Sequence, residues 1–369
     1  MTIQTVQVKD EPFLLDLMNQ DMEKAPELYK PTNYWEYKAN FLQPALKEEG
    51  LKDFRRKAVS VYASIGGVDV LPKWWIDLHK SRLFNNRLLR SMPFWSKVLD
   101  VLNGPVNKIA NAMPGYTEYL KQKPYRYARQ VEKETGAAPV ENFEASLAGN
   151  PEYVFTVKGK TYTNNIFDYY LRYAYCCRFV NFNDIHVIVE LGSGSCKLTE
   201  VIKKLHPHIT FLLFDISPQL YVGERYLATV FPDDVISYEK NRNMQSIPQL
   251  EKGKIYMFGS WQFPLLQEFK YDMFFNLTSF QEMEPHVVAN YLKFVDGNAR
   301  YVYLHSKMDG KEVAAQKGGF GVMEPTKLVH FQQGLTAYDM ADIRDSRKET
   351  GELKWNGHKD AFWIRKKIS

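Results

Sequence analysis

Residues 187–200, Val-Ile-Val-Glu-Leu-Gly-Ser-Gly-Ser-Cys-Lys-Leu-Thr-Glu, constrain the fold more than any other stretch. The apolar run, which ends in Glu190, suits a strand buried on both faces, and Gly192 and Gly194 suit a tight turn. The pattern from Lys197 onward suits a helix. Strand, glycine turn and helix in that order present backbone amides to a polar or anionic ligand.

After Ile185 the chain repeats this alternation. Strands are expected at 187–191, 210–215, 254–258, 272–277 and 300–305, with helices at 197–205, 218–230 and 285–295. Such alternation implies an α/β fold with a parallel, Rossmann-like sheet. Residues 235–238 compete for the third strand. At the other end, 352–355, the Asn356-Gly357 turn and 361–364 read as a hairpin.

The first 150 residues carry a helical period instead, as in Phe94, Trp95, Val98, Leu99, Val101 and Leu102, stopped by Asn103-Gly104-Pro105. A further helix is expected at 125–135, a small hairpin at 153–157 and 160–162 around Lys158-Gly159, and an aromatic helix at 166–180. The expected organisation is a helical N-terminal domain (1–150), a hairpin and helix leading into the core (151–184), and a Rossmann-like domain (185–369). The segment 310–324, with Gly318, Gly319 and Gly321, reads as either a plain loop or a lid.

Composition bounds the function classes. Hydrophobic residues make up 45% of the chain without any run long enough to span a membrane. The first residues mix acids into a short apolar patch, unlike a secretory signal, so a cytoplasmic location is expected. The net charge of +5 is spread among acids, which gives no support to a nucleic-acid partner. Cys176, Cys177 and Cys196 fit neither a disulfide framework nor a zinc site, and no metal-ligand pattern stands out.

A glycine pair after a strand is shared by many nucleotide-binding enzymes, and three neighbours narrow it. A dinucleotide fingerprint needs a glycine at position 197, where this chain has Lys197, so pyrophosphate binding of that kind is disfavoured. Asp215, followed by Ile216, ends the second strand, where a carboxylate can accept both hydroxyls of a ribose. Glu190 would oppose a pyrophosphate and favour an ammonium or sulfonium centre.

Glu190, Gly192, Gly194 and Asp215 at this spacing resemble the first two motifs of the class I S-adenosylmethionine-dependent methyltransferases. Asn276-Leu277-Thr278-Ser279-Phe280-Gln281-Glu282-Met283 is similar to the signature after the fourth strand of a family of sugar O-methyltransferases. Cys196 departs from the general motif, which often has a third glycine there. The resemblance implies a mostly parallel seven-stranded sheet with a terminal antiparallel hairpin, and S-adenosyl-L-methionine as cofactor. It also implies a small-molecule acceptor, a sugar or glycan precursor, methylated on a hydroxyl.

On that reading Glu190, Gly192, Ser193, Gly194, Asp215 and Ile216 face the cofactor. Ser260, Trp261 and Gln262 are candidates for the adenine, while Asn276 and Ser279 could hold the methionine moiety or the acceptor. A sugar hydroxyl is a poor nucleophile, and a positioned base contributes about 100- to 10,000-fold. Glu282, His286 and His305 are the candidates, each with a structural alternative: a cap, a solvated first-turn histidine and a satisfied strand-end histidine. Methylation of another small molecule, of RNA or of protein, and cofactor binding without turnover, stay open.

Overall fold

The computed structural model describes residues 6–56, 62, 122–151, 153–348, 351 and 357–367. The helix expected around 94–102 and the strand expected at 352–355 lie outside these. Among the described residues three helices come first: α1 (Pro12–Lys24), α2 (Asn33–Glu49) and α3 (Lys123–Thr135). A two-stranded hairpin follows, β1 (Val154–Val157) and β2 (Lys160–Thr163). Its turn residues Lys158 and Gly159 are both left-handed, at φ +50° and +79°, which matches the twist of the paired strands. Helix α4 (Ile166–Cys176) then leads to the large sheet and is shorter than the expected 166–180.

That sheet contains β3 (Val187–Leu191), β4 (Thr210–Asp215), β5 (Val235–Ile236), β6 (Ile255–Gly259), β7 (Tyr271–Leu277), β8 (Ala299–Lys307), β9 (Tyr338–Asp345) and β10 (His358–Arg365), in the order β5-β6-β4-β3-β7-β8-β10-β9. Strands β3 to β8 pair in parallel, and β10 runs antiparallel to both of its neighbours. Crossovers are α5 (Lys197–Leu205), α6 (Ser217–Val230), α7 (Tyr238–Asn241), α8 (Pro285–Leu292) and α9 (Leu328–Gly334). This is the Rossmann-like, mostly parallel sheet that the resemblance implies.

Two expectations change. Both 235–236 and 255–259 are strands; the first adds an eighth, two-residue, half-buried edge, and the second is fully buried between neighbours. The partner of the last strand is β9, whose residues are mostly exposed and include Asp339, Asp342, Arg344 and Asp345. An edge strand needs no apolar face, so it leaves no hydrophobic alternation to read.

Successive strand residues go to opposite faces, as the pleat requires. Ile188, Phe211, Leu213, Met257, Phe275 and Tyr303 join one cluster; Val189, Leu191, Leu212, Phe214, Phe258, Phe274 and Leu304 join the other. The first cluster also takes Leu14, Leu15 and Met18 of α1 and Leu42 and Leu46 of α2, so these helices bury their apolar faces on the same core as the sheet. Polar contacts fix their position. Asp21 of α1 accepts two hydrogen bonds from Arg242, at 2.7 and 2.8 Å, and one from the Tyr238 hydroxyl at 2.7 Å. Among the described residues no helix is long and apolar enough to cross a membrane.

Candidate functional site

Strand β3 lies between β4 and β7, and the chain order reverses there, since β4 and β6 lie on one side and β7 and β8 on the other. Open α/β sheets bind ligands outside the strand carboxyl ends at such a point. A cavity sits there, lined by the loops after β3, β4, β6 and β7 and roofed by Lys30, Pro31, Thr32 and Trp35.

The loop after β3 is shaped by left-handed residues: Gly192 (φ +75°), Gly194 (φ +53°) and Cys196 (φ +56°). A Cβ on Gly192 would collide with the Ser279 side chain, so the loops after β3 and β7 touch through the missing methyl. Cys196 adopts without a glycine the conformation for which the general motif often has one. A Cβ on Gly223 of α6 would strike Cys196 Sγ and the Gly194 carbonyl, so close helix-to-loop packing is supplied from α6.

Asp215 fastens this loop. Its carboxylate accepts hydrogen bonds from the Gly194 amide at 2.7 Å and the Ile216 amide at 2.8 Å. Burial pushes its carboxyl up to about 7 despite those two donors. Glu190 is also buried, accepts from the Thr199 hydroxyl at 3.3 Å, and is pushed by burial up to about 8. Two carboxyls poised near neutrality at one cavity suit a ligand that brings hydroxyl donors and positive charge.

The loop after β7 is held from within. Asn276 donates to the Leu191 carbonyl at 2.9 Å and to Ser279 Oγ at 2.6 Å, and accepts from the Phe280 amide at 3.0 Å. Thr278 is left-handed at φ +67°, and its amide donates to the His305 carbonyl at 2.7 Å. Glu282 forms an ion pair with Lys311 at 2.7 Å, and that ammonium stands 3.7 Å from the centre of the Tyr34 ring. Burial raises the Glu282 carboxyl, opposed by the Lys311 charge.

On another wall, His305 Nδ1 lies 2.9 Å from Asp360 Oδ1, which also accepts the Tyr303 hydroxyl at 2.8 Å. Burial alone would raise Asp360, yet the Arg172 guanidinium and the His305 and Tyr303 contacts hold it well below the usual carboxylate range.

The structure therefore brings ten of the residues singled out from sequence to one cavity: Glu190, Gly192, Ser193, Gly194, Asp215, Ile216, Ser260, Ser279, Glu282 and His305. Four stand elsewhere. His286 is exposed in the first turn of α8, beside a separate surface hollow with Lys293 and His330. Gln262 is consumed in structure, accepting from the Gly259 amide at 3.0 Å and donating to the Asn241 carbonyl at 2.8 Å. Trp261 packs over Gly259 and edge-on to Tyr238. Asn276 acts behind Ser279 instead of lining the cavity. The segment 310–324 contributes no cavity residue among those described; it is tied to α2, where Asn33 bonds Gly318, Gly319 and Gly321 and Phe320 packs on Tyr34. It buttresses the roof.

Sequence reasoning missed Lys30, Trp35, Asp168, Tyr169 and Asp360. Only Asp168 left a trace, as the partner of Arg172 one helical turn away.

No family model matches the chain, and no curated protein matches it. Solved structures do. Mitomycin 7-O-methyltransferase MmcR is 11% identical over 51% of this chain and 51% of its own length, with a TM-score of 0.34. The O-methyltransferase NcsB1 of neocarzinostatin biosynthesis is 11% identical over 55% of this chain and 56% of its own, with a TM-score of 0.36. An S-adenosylmethionine-dependent methyltransferase of Leishmania major is 9% identical over 55% and 72%, with a TM-score of 0.36. The chain thus spans about half the length of the first two. At these identities and scores they set no activity for it.

Proposed function

We propose that this protein is an S-adenosylmethionine-dependent O-methyltransferase whose acceptor is a hydroxyl of a sugar or sugar-containing metabolite. The carrying observation is that Asp215 and His305, the latter held from behind by Asp360, line one cavity at the point where the strand order reverses. On this reading Asp215 would accept hydrogen bonds from the ribose hydroxyls, the loop from Gly192 to Gly194 would hold the methionine moiety, Glu190 would favour the positive charge of the cofactor, and Ser260 would meet the adenine.

Methyl transfer from a sulfonium is an in-line displacement: the acceptor oxygen forms a bond to the methyl carbon as the carbon–sulfur bond breaks, with the electron pair leaving on sulfur. Alignment is the main demand on the protein. The acceptor hydroxyl must also shed its proton. His305 is the base we favour, because the Asp360 carboxylate fixes its ring and stabilises the imidazolium that forms. Glu282 is engaged by Lys311 and serves better as a neighbouring wall.

The test is calorimetric titration with S-adenosylhomocysteine, followed by transfer of labelled methyl from S-adenosylmethionine to a panel of sugars and glycosides. Micromolar binding and base-stable incorporation into a hydroxyl are expected. Absence of cofactor binding would remove the proposal; binding without transfer to any panel member would favour a non-catalytic binding protein.

A further inference from the structure

Gln219 stands in the first turn of α6 and borders the cavity, yet it is only 1% exposed, and among the described residues neither polar atom of its carboxamide has a hydrogen-bond partner. Its polar neighbours are engaged. Ser217 Oγ bonds Asn19, whose amide exchanges hydrogen bonds with that of Gln43 at 2.9 and 3.4 Å, and Asp215 takes the Gly194 and Ile216 amides. A buried amide without partners costs stability, so one placed at a cavity wall points to what enters the cavity.

Its place selects the part of the ligand it meets. Gln219 and Gly223 are four residues apart and share one face of α6. A Cβ on Gly223 would strike the Gly194 carbonyl, so that face rests on the glycine loop, and Gln219 stands one turn nearer the end of β4. A carboxamide offers donors and an acceptor in one plane, which complements a carbon that carries both a carboxylate and an ammonium. The carboxylate especially needs a neutral donor here. Glu190, Asp215 and Glu282 stand in the same walls and repel it when ionised.

We propose that Gln219 binds the amino-acid end of S-adenosylmethionine, its carboxamide donating to the α-carboxylate and accepting from the α-ammonium. This rests on the methyl-transfer reading of the cavity and deepens it by assigning the charged end of the cofactor to a neutral side chain of α6.

The experiment uses the full chain, the variant Gln219→Leu, and two probes: S-adenosylhomocysteine, and methylthioadenosine, which keeps the adenosine and the sulfur but lacks the amino-acid end. Gln219→Leu should bind S-adenosylhomocysteine about ten- to a hundredfold more weakly, the worth of a hydrogen bond to a charged group. Its affinity for methylthioadenosine should stay within about twofold of the parent, because the lost contacts lie outside that probe. The melting temperature of the ligand-free variant should rise, since leucine removes an unpaired buried amide; this also reports that the variant folds. A fall in melting temperature would mark Gln219 as structural and overturn the assignment. So would unchanged S-adenosylhomocysteine affinity, or equal weakening of both probes. Lys30→Gln is the control from the roof: if it erases the preference for S-adenosylhomocysteine and Gln219→Leu does not, the assignment falls. Failure of the parent protein to bind S-adenosylhomocysteine would instead strike the underlying methyltransferase reading.

Discussion

Asp215 Oδ2 sits 2.7 Å from the amide nitrogen of Gly194, so the glycine loop after β3 is fastened to the end of β4 by a buried carboxyl. That carboxyl is pushed up to about 7, and the neighbouring Glu190 to about 8, in both cases mainly by burial. The folded protein without ligand therefore holds protons that the unfolded chain has already released above about pH 4. The stability these two carboxyls contribute is fully present below that pH and is lost as pH rises through 7 and 8. We expect the melting temperature of the ligand-free protein to fall between pH 5 and pH 8, and Asp215→Asn to flatten the fall.

Ligand affinity should move the opposite way. Hydroxyl donors and a cationic centre favour the ionised carboxylates, so S-adenosylhomocysteine should bind more tightly as pH rises from 5.5 to 8. The gain should approach about tenfold per pH unit for each proton released, following the free energy of one pKa unit. Calorimetry in buffers of different ionisation enthalpy would count that proton. Affinity independent of pH would remove these two carboxyls from the cofactor site.

Gly192→Ala should combine two costs, a left-handed backbone at φ +75° and overlap with Ser279. A destabilisation of about 1–3 kcal/mol is expected, with cofactor affinity down tenfold or more. Gly136 has φ +70° and open space around its missing Cβ, so Gly136→Ala isolates the backbone cost. It should lower the melting temperature without touching cofactor binding.

For the base, His305→Gln should retain S-adenosylhomocysteine affinity and reduce turnover by about 100- to 10,000-fold. Asp360→Asn should reduce turnover too, but it also strips Arg172 of a buried counter-charge. A stability loss of about 3–5 kcal/mol is expected from that, visible as a lower denaturation midpoint. Unchanged turnover in His305→Gln would exclude the histidine as base.

The Glu282–Lys311 ion pair invites a double-mutant cycle. Lys311→Met removes the ion-pair partner of a buried carboxylate and should cost about 3–5 kcal/mol. The Glu282→Gln, Lys311→Met double variant should recover most of it. If Glu282 were the base, Glu282→Gln would abolish turnover; on the His305 assignment it should weaken turnover by less than about tenfold, since no proton passes through it.

The parts of the fold that the chain displays openly are those whose residues answer to one demand. Strands β3 and β4 match the expected bounds because every residue from Thr210 to Asp215 is buried, and burial writes itself as an apolar run. Helix α5 likewise begins and ends where its pattern predicts. Strand β9 was hidden because it answers to hydrogen bonding at an edge, with side chains left in water. Within the site, Gly192, Gly194 and Asp215 are legible since backbone geometry dictates their types. Asp168, Trp35 and Asp360 are not, because their meaning comes only from tertiary neighbours distant in sequence. Gln262 and Asn276 mislead for the same reason: their amides satisfy backbone groups that the sequence alone does not bring near.

Trp35 of the roof and Asp360 of β10 border or support the same cavity from positions early and late in the chain. Synthesis proceeds from the first to the second, so the glycine loop, Asp215 and the roof leave the ribosome while the segment that orients His305 is still unmade. A nascent chain can thus hold the glycine loop and the roof of this cavity and yet lack the carboxylate that fixes the His305 ring.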